Sequence, residues 1–169
     1  MQLRRVDPGA PKSVVRRGLE AFGRSRVGRW YGIRIAAPMD ARLLKATGGR
    51  VRLVASLPTA LLQTTGAKSG QLRETPVVYF HPEPTSSDVV LIASSFGRDK
   101  HPAWFHNLTA HPECLLNGQA FTAIEVSDPG ERDRLYGLAT QVYAGYADYE
   151  VHAAAAGRTI PVLRLRPAH

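Results

Sequence analysis

The sequence predicts an α+β domain organised round a barrel-like sheet of about six antiparallel strands, with helices at the ends and one inserted helix. Three observations lead there. Short, branched apolar segments follow one another through tight turns, which antiparallel neighbours allow and parallel ones do not. Helical patterns fall near the two ends and at one interior point. No G-x-G-x-x-G follows a strand, so a dinucleotide-binding crossover sheet is unsupported.

The chain opens on a basic segment, residues 1–38, set apart from a domain spanning 39–169. Residues 1–60 carry 13 Lys/Arg against 3 Asp/Glu, and residues 61–169 carry 9 against 11, so the net charge of +8 arises in the first third. Val15, Leu19 and Phe22 fall at helical spacing, Arg16, Arg17, Arg24 and Arg26 lie on other faces, and Trp30 and Tyr31 follow. Three explanations compete: a helix on an anionic membrane surface, a nucleic-acid arm, or a solvated helix docked on the domain. The terminal aromatics suit a membrane interface better than a duplex, although Gly18, Gly23 and Gly28 weaken the helix. With no signal-peptide pattern and no run of about 18 apolar residues, a cytoplasmic protein is expected, with peripheral contact at the inner face of the membrane left open.

Asp40 can cap a short helix over 41–47 that Gly48-Gly49 ends. Residues 57–65 and 75–81 read as strands, 82–88 as a polar loop, and 89–95 as a central strand because its apolar run is nearly continuous. Pro102 and Pro112 bracket a helix of about two turns. Residues 113–116 and 120–126 flank Asn117-Gly118, a hairpin signal. Asp128 and Glu131 form a capping-box pattern before a stripe of Leu135, Leu138, Ala139 and Val142. A second helical piece, 146–156, ends at Gly157, and the alternating 160–166 makes a last strand.

The chemistry concentrates in 61–79, where two apolar segments flank a small, hydroxyl-bearing turn. Gly66 and Gly70 permit left-handed backbone and close ligand approach. Such a turn can present N–H groups to an anion, with Lys68 and Arg73 adding charge, so a phosphorylated ligand is expected. The same pattern also describes an ordinary hairpin with a solvated lysine. The glycine spacing of a phosphate-loop hydrolase is missing.

Tyr143, Tyr146 and Tyr149, spaced by three, are either core aromatics or a wall over a planar ligand with phenols able to donate. Trp104 and Phe105 could line the same cavity. The histidines lack metal spacing, Cys114 sits in an apolar run, and Ser69 and Ser94 lack a nucleophile elbow. Glu74 and Asp148 stand far apart in the sequence, without the two-carboxylate pattern of glycosidase chemistry. Binding groups without aggressive side chains suit a cofactor enzyme.

The segments TTGAKSGQLRETPVVYF (64–80) and IASSFGRDKHPAWFHNL (92–108), with the tyrosine triplet, resemble the deazaflavin-dependent nitroreductase family over most of the chain from Asp40 onward. The resemblance implies a split β-barrel like that of FMN-binding flavoproteins. It also implies an oxidoreductase that passes a hydride from reduced coenzyme F420 to a quinone, nitroaromatic or similar electron-poor acceptor. The cofactor's phosphate and anionic tail would be held by Ala67, Lys68, Ser69 and Arg73, and Glu74, Thr75, Pro76, Val77 and Val78 would run along it. Ile92, Ala93, Ser94 and Ser95 would face its ring, and Ala103, Trp104, Phe105, His106, Asn107 and Tyr146 would complete the pocket. Tyr143, Tyr146, Tyr149 and Ser94 carry over as acceptor-side residues, and no metal is implied. Many family members have a basic residue where Ala67 stands and a Gly-Gly after the Ala-Ser, where this chain has Ser95-Phe96-Gly97, which bears on tail affinity and pocket width. FMN or haem in the same fold, and a non-catalytic F420 carrier, are the alternatives; a homodimer is open.

Overall fold

The computed structural model describes residues 3–10 and 57–168. The boundary at 38/39, the basic amphipathic helix and the short helix at 41–47 lie outside the described residues.

Among the described residues six strands form: β1 (Thr59–Thr65), β2 (Leu72–Phe80), β3 (Val89–Ile92), β4 (Glu113–Leu116), β5 (Gln119–Glu125) and β6 (Val162–Pro167). They close into a barrel in the order β1-β2-β3-β6-β5-β4, every neighbour antiparallel. Helix α1 (Ala103–Ala110) is inserted between β3 and β4; α2 (Pro129–Val142) and α3 (Gly145–Ala155) lie between β5 and β6. The expected barrel-like α+β architecture is present.

Strand periodicity divides the apolar residues into two cores. Ala60, Leu62, Val77, Tyr79, Val89, Leu91, Cys114, Leu116, Phe121, Ala123, Leu163 and Leu165 fill the barrel, joined by Trp104, Phe105 and Leu108 of α1. The alternate residues Phe80, Val90, Ile92 and Val162 face outward under α2 and α3. The continuous apolar run of β3 is thereby explained: both of its faces are covered. Burial pushes the Cys114 thiol up to about 12, so it is a packing group and not a nucleophile at neutral pH.

The local signals act as their chemistry requires. Asn117 and Gly118 both take positive φ (49° and 82°), and Asn117 Oδ1 accepts from Leu61 N–H at 2.8 Å, tying the hairpin back to β1. Asp128 caps α2 by accepting from Glu131 N–H at 2.7 Å. The capping box is only half made, because the Glu131 carboxylate turns instead to Arg134 and Arg164. Those arginines also engage Glu83 and Asp88, fastening the start of α2 to the β2–β3 loop and β6. Tyr143 leaves the helix as the C-cap of α2, so the helix break falls there, and Gly145 opens α3. A Cβ at Gly145 would lie 2.4 Å from the Tyr143 ring, so only glycine lets that ring pack.

At the N-terminus, Leu3 and Val6 pack on the cores. Val6 exchanges two hydrogen bonds with His81, backbone carbonyl to backbone N–H at 3.0 Å and N–H to Nδ1 at 3.1 Å, and Tyr79 donates to the Arg4 carbonyl at 2.8 Å. Residues 3–7 are a strap on the barrel.

Candidate active site

Strands β1 and β2 pair down to Thr65↔Leu72, leaving residues 66–71 as the turn. β2 begins at Leu72, earlier than the sequence pattern suggests, so Arg73 and Glu74 are strand residues on opposite faces. Within the turn Gly66 N–H bonds Gln71 O and Gly70 N–H bonds Gly66 O, both at 2.8 Å. Ala67 N–H donates to Asn107 Oδ1 at 3.0 Å, and Asn107 Nδ2 donates to Thr64 Oγ1 at 3.0 Å. The buried Asn107 of α1 therefore seats the turn. The N–H groups of Lys68 and Ser69 meet no acceptor among the described residues. Lys68 and Arg73 are exposed and make no ion pair among the described residues; Arg73 is steadied by Gln71 Oε1 at 3.2 Å. Glu74 accepts from Gln63 Nε2 at 2.8 Å. Two cations, two undirected amides and the Ser69 hydroxyl make this turn a donor-rich corner, the chemistry an oxyanion selects.

The second predicted segment leaves β3 earlier than expected, at Ile92. Ser95, Phe96 and Gly97 then take successive positive φ values of 49°, 58° and 73°, which cannot continue a strand. Left-handed backbone at an aromatic residue is strained by about 1–3 kcal/mol and persists only where surroundings enforce it. Here Gly97 packs so tightly that a Cβ would sit 3.0 Å from the Tyr149 Cα and carbonyl. Arg158, 8% exposed, donates to the Ala93 carbonyl at 3.2 Å and to the Ser94 carbonyl at 2.6 Å. Arg158 also lies 3.0 Å from His101 Nδ1. Burial and then the Arg158 charge hold His101 below the usual imidazole value, so it faces the arginine neutral, as an acceptor. It therefore adds no positive charge for an anion, contrary to what its place beside Lys100 suggests.

The tyrosines meet as the spacing implies, though across two elements and not on one helix. Ring centroids of Tyr143–Tyr146, Tyr146–Tyr149 and Tyr143–Tyr149 are 5.7, 6.0 and 6.1 Å apart. Phe96, 39% exposed, sets its ring edge-on to Tyr149 at 6.0 Å. Burial, with Tyr136 and Tyr143 adding to it, holds the Tyr146 phenol far above its usual pKa. Its hydroxyl has no hydrogen-bond partner among the described residues.

A path of contacts joins these parts. It runs from the 66–71 turn through Asn107 to α1, from Phe105 to His101 (5.0 Å between rings), then to Arg158, Ser94, Phe96 and Tyr149. An open cleft of about 810 Å³ lies along part of it, lined by Lys100, His101, Ala103, His106, Gly157 and Arg158 among others. Not every predicted residue presents its side chain there. Val77, Trp104 and Phe105 turn into the barrel core, whereas Thr75, Pro76 and Val78 are partly exposed along β2. Arg158 was not among the predicted residues. Its one sequence signal is a cation just after a helix-ending glycine and before a buried strand, a place where solvated cations are equally common.

The sequence profile of the F420H(2)-dependent quinone reductase family matches residues 36–167. An F420H(2)-dependent quinone reductase of Mycobacterium tuberculosis is 31% identical over 153 residues, 82% of this chain and 97% of that protein. A solved structure described as a domain-swapped dimer superposes with a TM-score of 0.56 at 31% identity, covering 76% of this chain and 95% of that one. The structure of an F420-H2 dependent reductase superposes with a TM-score of 0.52 at 32% identity, covering 64% and 94%. On this evidence the chain belongs to the F420H(2)-dependent quinone reductase family, oxidoreductases whose cofactor is reduced coenzyme F420.

Proposed function

We propose that the protein reduces quinones, with nitroaromatic and similar electron-poor compounds as further acceptors, using the contiguous surface from the 66–71 turn to the tyrosine cluster. The observation that carries this reading is the donor-rich corner at Lys68, Ser69 and Arg73, seated by Asn107 of α1, the helix whose Phe105 leads through His101 and Arg158 to the held turn at 94–97. The donor set fits a strongly anionic handle, since neither Lys68 nor Arg73 makes an ion pair among the described residues. When bound, reduced F420 supplies the hydride.

Ala67, Lys68, Ser69 and Arg73 hold the phosphate and tail by charge-assisted hydrogen bonds. Ala103, His106, Thr75, Pro76 and Val78 flank the cofactor; Glu74, Val77, Trp104, Phe105 and Asn107 shape the walls from within. The backbone at Ile92, Ala93, Ser94 and Ser95 orients the redox-active ring. Tyr143, Tyr146 and Tyr149 exclude water and fix the acceptor in near-attack geometry. A quinone that gains a hydride carries negative charge on an oxygen, which N–H groups and phenols stabilise. With its pKa raised, Tyr146 keeps its proton and serves as a hydrogen-bond donor, not as the acid itself.

Titration of the purified protein with oxidised F420, FMN, FAD, haem and NADPH tests the reading, followed by oxidation of reduced F420 with menadione and a nitroaromatic. Retention of FMN or haem with no affinity for F420 would overturn it. Tight F420 binding with no oxidation by any acceptor would make the protein a carrier.

A homodimer and a peripheral membrane contact through the basic segment belong to the same proposal; the dimeric neighbour supports the first and the charge of residues 1–38 the second. No helix among the described residues is long and apolar enough to cross a membrane. Because residues 3–7 strap the barrel, vesicle pelleting should use arginine-to-glutamine changes at Arg16, Arg17, Arg24 and Arg26, not removal of the whole segment.

A further inference from the structure

We propose that Arg158 is a positioning residue for the hydride-transfer site: its guanidinium grips the Ala93 and Ser94 carbonyls and so aims the peptide N–H groups of Ser94 and Ser95 at the acceptor-side surface. The inference rests on the function proposed above, and the geometry makes it specific. The chain has no cis peptide among its described residues, so each carbonyl points opposite to the N–H of the same peptide plane. With the Ala93 and Ser94 carbonyls drawn to Arg158, the Ser94 and Ser95 N–H groups face away from it. Neither N–H finds an acceptor among the described residues, and both residues are partly exposed. Ser94 in right-handed and Ser95 in left-handed conformation form the αR-αL pair whose successive N–H groups make an anion-holding concavity.

Two further observations separate a clamp from an ordinary buried ion. Arg158 makes no ion pair among the described residues: it bonds two carbonyls and a neutral imidazole, and Asp99 acts on it only through its charge at a distance. Its Nε is buried with no hydrogen-bond partner among the described residues, as is that of Arg132, so every bond Arg158 makes runs through its two terminal nitrogens. What the residue obtains instead is a fork reaching two successive carbonyls, a geometry that lysine cannot copy. The held turn is strained at Ser95 and Phe96, so releasing the fork frees the segment to relax.

The test uses the full chain carrying Arg158→Gln or Arg158→Lys. In the ligand-free protein, amide exchange at Gly97 and Arg98, whose N–H groups bond Ser94 O and Ser95 O, should quicken about tenfold or more in both variants. Exchange within β3 should stay unchanged. With F420 and menadione, kcat should fall about tenfold or more while the Kd for oxidised F420 moves less than about threefold. Lysine should restore thermal stability without restoring kcat. Unchanged exchange at Gly97 and Arg98, or full recovery of kcat by lysine, overturns the proposal. Should Arg158→Gln not fold, Arg158→Lys alone decides by the same two readouts. Wild-type protein that neither binds F420 nor turns over would sink the proposed function, while the exchange measurement would still judge the clamp.

Discussion

Asn107→Ala probes the joint between the anion corner and the rest of the site. The side chain makes two hydrogen bonds of 3.0 Å, from Ala67 N–H and to Thr64 Oγ1. A typical hydrogen bond contributes about 1 kcal/mol net, and a buried group left unpaired costs about 1–3 kcal/mol. Thr64 is 1% exposed, so water cannot easily replace the lost partner. The expected destabilisation is therefore about 2–4 kcal/mol. With a urea m-value of about 2 kcal/mol/M, the unfolding midpoint drops by about 1–2 M. The affinity for oxidised F420 should fall about tenfold, because the turn must be ordered at the moment of binding. Its salt dependence should persist, since Lys68 and Arg73 remain. Urea unfolding followed by tryptophan fluorescence, with F420 titrations at two ionic strengths, gives all three quantities. A midpoint within about 0.2 M of the parent would refute the view that Asn107 carries the joint.

Lys68→Ala with Arg73→Ala should weaken F420 binding by about tenfold to a hundredfold at low ionic strength and flatten the salt response of what is left; calorimetry reads both. Tyr146→Phe should reduce kcat about tenfold or more with the F420 Kd nearly unchanged, and equal turnover would remove the phenol from the acceptor site. The pH dependence of stability has a definite sign. Burial first, then the Arg5 charge, hold His81 below its ordinary value despite the hydrogen bond with Val6, and His101 is likewise depressed. Their neutral forms therefore support the fold fully above about pH 6.5, and that support is lost as pH falls through the lower native values. The slope is at most about 1.4 kcal/mol per pH unit for each histidine. His81→Asn, which can still accept from Val6 N–H without titrating, should lessen this acid loss in chemical denaturation, and an unchanged pH profile would refute it.

The barrel was legible because its signals are local. Asn117-Gly118, Asp128 and the alternation of 160–166 each have one cheap structural answer, and the structure adopts it. Where the pattern misled, a tertiary contact won. The end of β3 reads as strand through Ser95, but Gly97 packing on Tyr149 and the Arg158 fork bend it into left-handed backbone. The three-residue spacing of the tyrosines foretold their meeting but not its route: Tyr143 leaves α2 and rejoins its fellows across Gly145. Arg158 was invisible for a different reason: a cation's partners are carbonyls more than sixty residues away, and nothing local encodes them.

Strand order has a consequence for how the molecule is made. Val162–Pro167 is made after the other five strands of the barrel, yet it lies between β3 and β5. Until it leaves the ribosome, both neighbours present open edges with unpaired backbone groups, the condition under which nascent chains pair with one another. Any truncation or bulky fusion that delays this closing piece should therefore betray itself first as inclusion bodies, before a single turnover is lost.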